Sequence, residues 1–212
     1  PVQIVPHHGP IIPTIVNGKI VAPDPAVGAL SVRWTGFELS DETGAVNRLM
    51  VARNVDEAIA ALSTWGTGAQ NWMLGDTSGN IGWTSQAKVP YRKAAALKWD
   101  PASYQGQLPC FVLPGDGTAD WEGYWPADRV PWATNPLAGY LATPNQDQVG
   151  GTHDNDPSND VQPDGTSAYL NAQFALGFRQ GRIRQRIDEM QSGMTPEDMS
   201  LLQGDHQSPL GR

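Results

Sequence analysis

Few residues in this chain are of types that could do chemistry, and they are scattered. A side-chain amide, Asn71, opens the aromatic stretch Asn71-Trp72-Met73-Leu74, and a guanidinium, Arg92, closes the string Pro90-Tyr91-Arg92. An amide offers both a donor and an acceptor. A guanidinium offers five fixed donors and a permanent charge. Two further groups suggest a metal. His7 and His8 are adjacent, and adjacent strand residues point to opposite faces, so the pair reads as a turn or strand end rather than a shared ligand set. The string His153-Asp154-Asn155-Asp156-Pro157-Ser158-Asn159-Asp160 is rich in oxygen ligands. Asp154, Asp156 and Ser158 fit positions one, three and five of an EF-hand loop. Asn159, however, stands where glycine is needed, and Gly165 where a bidentate glutamate is needed. A solvated turn cluster is the reading preferred here, with a looser oxygen-rich site as the alternative.

The elements that must position Asn71 and Arg92 follow from pattern. Asn71 to Leu74 and Asn80 to Gln86 read as two arms of a β-hairpin. Asp76-Thr77-Ser78-Gly79 is turn chemistry between them, and Gly79 is free to take positive φ. Ahead of the hairpin, Asn54 caps a helix with Glu57 three residues on, and Val55, Ala58, Ile59 and Leu62 share its buried face. Gly66 and Gly68 end that helix and lead into the hairpin. Residues 1 to 36 read as strands, with Asn17-Gly18 as a two-residue hairpin turn and Leu30, Val32 and Trp34 as the inward side of a half-buried strand. Residues 93 to 140 are loop-rich, because six prolines from Pro101 to Pro136 prevent long helices. Trp99, Trp121, Trp125 and Trp132 in that region read as packing under loops, or as a wall of an apolar pocket. A helix is expected over Ala168 to Met190, with Leu170, Phe174, Phe178, Ile183 and Ile187 on its apolar face. Gly193 stops it, and Thr195-Pro196-Glu197-Asp198 starts another.

Composition excludes several function classes. The 212 residues suffice for one sizeable domain, and 39% hydrophobic with 17% charged residues suits a folded core. Lys and Arg total 14 against 22 for Asp and Glu, a net charge of −8, which argues against a nucleic-acid surface. Cys110 stands alone, so no internal disulfide framework exists. No apolar run is long enough for a membrane span, and no signal peptide is visible. The chain opens on Pro1 and ends on Leu210-Gly211-Arg212. It is read as an internal piece of a longer precursor, with trimmed or disordered ends as the alternative.

The string Asn71-Trp72 to Asp76, then Gly79-Asn80-Ile81-Gly82-Trp83 and Pro90-Tyr91-Arg92, resembles the β-subunit of the penicillin acylase family of N-terminal-nucleophile hydrolases. Other strings agree in the family's order: His8-Gly9-Pro10-Ile11-Ile12, Leu30 to Thr35, Leu113-Pro114-Gly115-Asp116-Gly117, Trp121-Glu122-Gly123, Asn135 to Tyr140 and Ala142-Thr143-Pro144-Asn145. The resemblance implies an α+β fold that is part of a four-layer αββα sandwich. Residues 1–160 would belong to the hydrolase core with decorating loops, and residues 161–212 to an attached helical segment. It implies an amidohydrolase that cleaves N-acyl amides, such as a β-lactam side chain or an acyl-homoserine lactone. It also implies a self-cleaving precursor, an α-chain partner from that precursor, and a periplasmic or secreted location. Two site residues carry over. Asn71 matches the asparagine whose N–H donates to the tetrahedral oxyanion, and Arg92 matches an arginine that orients the site or holds a substrate carboxylate.

The resemblance fails at the decisive position. The family's β-chain begins with Ser, Cys or Thr, whereas Pro1 has neither hydroxyl nor thiol. The nucleophile is therefore expected ahead of Pro1, with the backbone oxyanion donor and any calcium-binding aspartates, and the segment alone is expected to be inactive. No cofactor, metal ligand or substrate-binding residue is assigned within the chain. Asn71 has the plainer alternative of bonding a neighbouring strand, and Arg92 that of a surface ion pair. Two rival functions remain. One is a non-catalytic binding module with Trp-rich loops, which requires tryptophans exposed in a row. The other is catalysis by Pro1 as a secondary-amine base, which requires an apolar cleft around it.

Overall fold

The hairpin at the centre of the chain forms as the turn chemistry dictates. In the computed structural model, which describes residues 2–190 and 193–211, Trp72–Gly75 and Ile81–Thr84 pair antiparallel, with Trp72 opposite Thr84 and Gly75 opposite Ile81. Gly79 takes φ +87°. The Asp76 carboxylate accepts from the backbone N–H of Ser78 and Asn80 and from the Asn80 amide, at 2.9–3.0 Å, so Asp76 and Asn80 are turn residues. Trp132–Thr134 adds a third antiparallel strand against the second arm. Asn135 then staples the sheet to the turn, its Oδ1 accepting from Ile81 N–H and its Nδ2 donating to Asn80 Oδ1, both at 3.0 Å.

Among the described residues the elements run in order as follows. β1 is Ile4–Val5, β2 Gly9–Pro10, β3 Thr14–Val16, β4 Lys19–Val21, α1 Glu42–Leu49, α2 Val55–Ala61, β5 Trp72–Gly75 and β6 Ile81–Thr84. β7 is Pro90–Arg92, β8 Lys98–Asp100, β9 Gln105–Gln107, β10 Trp121–Tyr124, β11 Trp132–Thr134, α3 Phe178–Met190 and α4 Pro196–Gln203. The three-stranded sheet runs β11-β6-β5, and the pairs β1-β2, β3-β4, β10-β7 and β8-β9 stand as small ribbons. The chain is thus a mixture of helices and strands, dominated by connections, as 18 prolines and 23 glycines require.

Helix α2 starts at Asn54, whose side chain accepts from Glu57 N–H at 2.8 Å. The reciprocal leg of the capping box shifts by one residue, Glu57 accepting from Arg53 N–H at 2.9 Å. Val55, Ala58, Ala61 and Leu62 are buried, and α2 packs on β6, where Gly82 admits the Val55 side chain. Helix α1 sits beside it with Ala45 buried. Glu42 of α1 fastens the approach to the hairpin by accepting from Ser40 Oγ, Gly66 N–H and Thr67 N–H at 2.5, 3.1 and 2.8 Å. These bonds hold its carboxyl at about 2, well below the ordinary carboxylate value, with the Ser40 hydroxyl the largest cause.

Two expectations are corrected. Residues 30–35 are extended, but they pair only through an Ile11–Ser31 bridge and the bonds Ile12 N–H to Leu30 O and Val32 N–H to Pro10 O. The alternation is inverted: Ser31 and Arg33 turn inward, whereas Val32 and Trp34 are exposed. The ladder stops because Trp34 folds over Gly36 and stacks edge-on against Phe37. The helix expected from Ala168 begins only at Phe178. Within that stretch Ala175 N–H is spent on Asn145 O instead of a carbonyl four residues back, and Asn171 folds back on Gln173. Helix α4 begins where expected, with Pro196 in its first turn, and Thr195 and Asp198 form a capping box there. Arg182 and Arg186 of α3 converge on Asp205 just past α4, at 2.6 and 3.2 Å.

Candidate functional site

Asn71 lies immediately before β5, on the same sheet face as Met73 and Trp83, which are paired across the hairpin. In that register Trp83 is the diagonal neighbour of Asn71, a separation that an indole can bridge. Trp83 Nε1–H donates to Asn71 Oδ1 at 2.9 Å, and Gln148 Nε2–H donates to the same oxygen at 3.4 Å. An indole nitrogen can only donate, so the carboxamide orientation is fixed, with oxygen toward Trp83 and Nδ2 away from it. Nδ2 has no partner among the described residues. The side chain is exposed and opens on a cleft of about 540 Å³ that Gln70, Trp83, Gln146, Gln148 and Phe174 help to line. The non-helical segment 170–175 forms one wall of that cleft. Gln146 donates to Ala142 O at 3.3 Å, and its Oε1 is buried without a partner.

Arg92 ends β7 and lies opposite Trp121 of β10. Its guanidinium stacks on the Trp121 ring at 5.2 Å, and that of Arg33 lies over the same ring at 4.9 Å. Burial depresses the Arg92 pKa, partly offset by the nearby Tyr169 hydroxyl. Burial, followed by the Cys110 thiol, pushes Tyr169 up to about 12. Among the described residues Arg92 makes no salt bridge. Arg92 opens on a second cavity of about 810 Å³, which His8, Arg33, Asp120 and the apolar Phe111, Val112 and Leu113 also line. Asn71 and Arg92 therefore face different cavities.

His8 and Ser31 share a 3.0 Å hydrogen bond at this second cavity, and burial lowers the His8 pKa. Gly9, at φ +148°, lets the chain approach Val32 O so closely that a Cβ there would lie 2.0 Å from it, which gives the His8-Gly9 pair its structural reason. Arg33 reaches Glu38 at 3.1 Å, and Tyr124 O–H donates to the same carboxylate at 2.5 Å. Among the described residues no three His, Cys, Asp or Glu side chains converge to hold a metal. In the 153–160 cluster Asp154 accepts from Asp156 N–H and Asn159 Nδ2, and Asp156 accepts from Ser158, so these carboxylates close their own turns. Ser85 also lines the Asn71 cleft, and among the described residues no histidine or amine is hydrogen-bonded to its hydroxyl. Pro1 lies outside the described residues. The geometry thus offers an unpartnered amide donor at the cleft, with no adjacent nucleophile–base pair among the described residues. The clamp from Trp83 and Gln148 was missed by sequence reasoning, although the hairpin register carries the signal for Trp83.

The family described as penicillin amidase matches residues 3–212. The chain is similar to the penicillin acylase 2 proenzyme of Pseudomonas sp. (strain SE83), 28% identical over 196 residues, which is 91% of this chain and 22% of that protein. It is similar to penicillin G acylase of Escherichia coli, 30% identical over 138 residues, 61% of this chain and 14% of that protein. The solved structure of a thermostable penicillin G acylase from Alcaligenes faecalis superposes with a TM-score of 0.55 at 26% identity, covering 89% of this chain and 28% of that one. The chain therefore spans 22% or less of the length of these two curated relatives.

Proposed function

This chain belongs to the penicillin amidase family, and on that premise we propose that it is a segment of an amidohydrolase that cleaves N-acyl amides through an N-terminal nucleophile contributed by residues outside it. The observation that carries this reading is the Asn71 carboxamide, held by its oxygen, with its N–H unpartnered among the described residues, on a side chain that lines an open cleft. In the proposed reaction the nucleophile adds to the acyl carbonyl and its proton passes to the nucleophilic residue's own α-amine. The carbonyl oxygen becomes an oxyanion, and Asn71 Nδ2–H donates to it. Collapse expels the amine, which takes that proton, and water then releases the acid. Arg92, desolvated and without a carboxylate partner among the described residues, orients the site or receives a substrate carboxylate once further segments complete the two cavities.

The same proposal extends to the whole protein. Residues 1–160 supply part of a four-layer αββα core and residues 161–212 an attached helical segment. The partner is an α-chain cut from the same precursor, and the site of action is periplasmic or secreted. Exposed apolar side chains such as Leu39, Leu137, Ile20 and Leu176 support a surface that further chain covers. Any calcium is held by residues outside this segment. A Trp-lined binding surface is the weaker reading, because Trp83 and Trp125 are buried and only Trp34 and Trp132 of the eight tryptophans are exposed. The test is Asn71→Ala in the mature full-length protein, with release of the amine from an N-acyl amide such as penicillin G as the assay. The expected loss is about 10²–10³ in kcat with KM little changed. An unchanged kcat refutes the assignment.

A further inference from the structure

The geometry points to Trp83 as the positioning residue for this reaction, an assignment that rests on the oxyanion role proposed for Asn71; we propose that its indole N–H locks the Asn71 carboxamide in the one orientation that donates. A terminal amide has two nearly isosteric orientations. One presents N–H to the cleft, and the flipped one presents a carbonyl oxygen, which would repel an oxyanion. Free Asn71 would populate both, because its side chain is exposed and at the end of a strand. Trp83 breaks the tie. Its nitrogen carries a proton and no usable lone pair, so it accepts nothing from Nδ2, and the 2.9 Å contact exists only with oxygen facing the ring. The indole is itself immobile. It is 6% exposed, on the central strand β6, between Met73 and Ala133 in the sheet register. Gln148, from the loop after β11, donates to the same oxygen from 3.4 Å, a longer and weaker second hold.

The expected size follows from one neutral hydrogen bond, whose net worth corresponds to about 2–10-fold in an equilibrium. In mature full-length enzyme, Trp83→Phe keeps the ring and removes the N–H. It is expected to lower kcat by about 2–10-fold, with KM within about twofold of wild type. The diagnostic readout is the double variant. On an Asn71→Ala background, Trp83→Phe is expected to have no further effect on kcat, because no amide remains to orient. Should Trp83→Phe fail to yield processed enzyme, benzothienylalanine placed at position 83 supplies the same outline with sulfur in place of N–H, and the same outcomes apply. A loss in Asn71→Ala with none in Trp83→Phe overturns the lock while leaving the oxyanion role standing. A Trp83→Phe loss of equal size with and without Asn71 also overturns it, because that is a general packing effect. No loss in Asn71→Ala removes both the oxyanion assignment and the lock built on it.

Discussion

Gly82→Ala tests how the hairpin is held. Gly82 is the second residue of β6, on the face turned to α2. A methyl group there would lie 2.3 Å from Val55 Cγ1, with Ile59 Cδ1 at 3.6 Å and Thr134 Cγ2 at 3.7 Å. Carbon atoms in contact rest at about 3.5–4.0 Å, so the overlap with Val55 exceeds about 1 Å. Val55 cannot easily swing aside: it is 3% exposed, and a β-branched side chain in a helix has one strongly preferred χ1. The strain must displace α2 from the sheet. Overpacking of this kind costs about 1–3 kcal/mol, and this site belongs at the upper end. In a unit of about 200 residues that would lower the thermal midpoint by about 6–12 °C, and in the longer full-length protein, where kcat is read, by less. Calorimetry or a urea titration reads the loss. The decisive comparison is the double variant Gly82→Ala/Val55→Ala, whose total cost should fall short of the summed single costs by at least about 1 kcal/mol. Asn71 lies on the opposite face, so kcat well below the midpoint should stay within twofold. Additive single and double effects, or an unchanged midpoint, would refute the seating of α2 on Gly82.

Two further outcomes follow from the same core. Leu62, fully buried in the turn after α2, should lose about 2–5 kcal/mol on Leu62→Ala, read as a lowered urea midpoint; a smaller loss would mean that the cavity collapses freely. Glu42 has its folded pKa depressed to about 2 from 4.5, so its contribution is present above pH 4.5 and lost as pH falls toward 2. The gap in thermal midpoint between wild type and Glu42→Gln should therefore close as pH drops through that window, and a constant gap would count against the Glu42 staple.

Local chemistry carried most of what the sequence determined. The Asp76 to Gly79 turn, the Asn17-Gly18 turn, with φ 51° and 74°, and the Asn54 and Thr195 caps are each decided by side chains within five residues. Short-range bonds and backbone sterics leave such segments few choices, so they form as read. The family, too, is legible, because its strings keep their order across the chain. Where the competing partners lay far away, local reading failed. Residues 168–177 carry a helical pattern, but the distant Asn145 carbonyl takes the Ala175 donor that a helix would need. Val32 and Trp34 look like an inward face, yet Arg33 turns in because the Trp121 ring and Glu38 are there to receive its charge. Asn71 and Arg92 stand out from sequence alone. Which atom of Asn71 is held and which is left unpartnered, and that Arg92 opens on another cavity, depends on Trp83, Gln148 and Trp121 converging from other strands and loops. Only the tertiary structure could decide that, since an amide's orientation is set by its partners and not by its own chain.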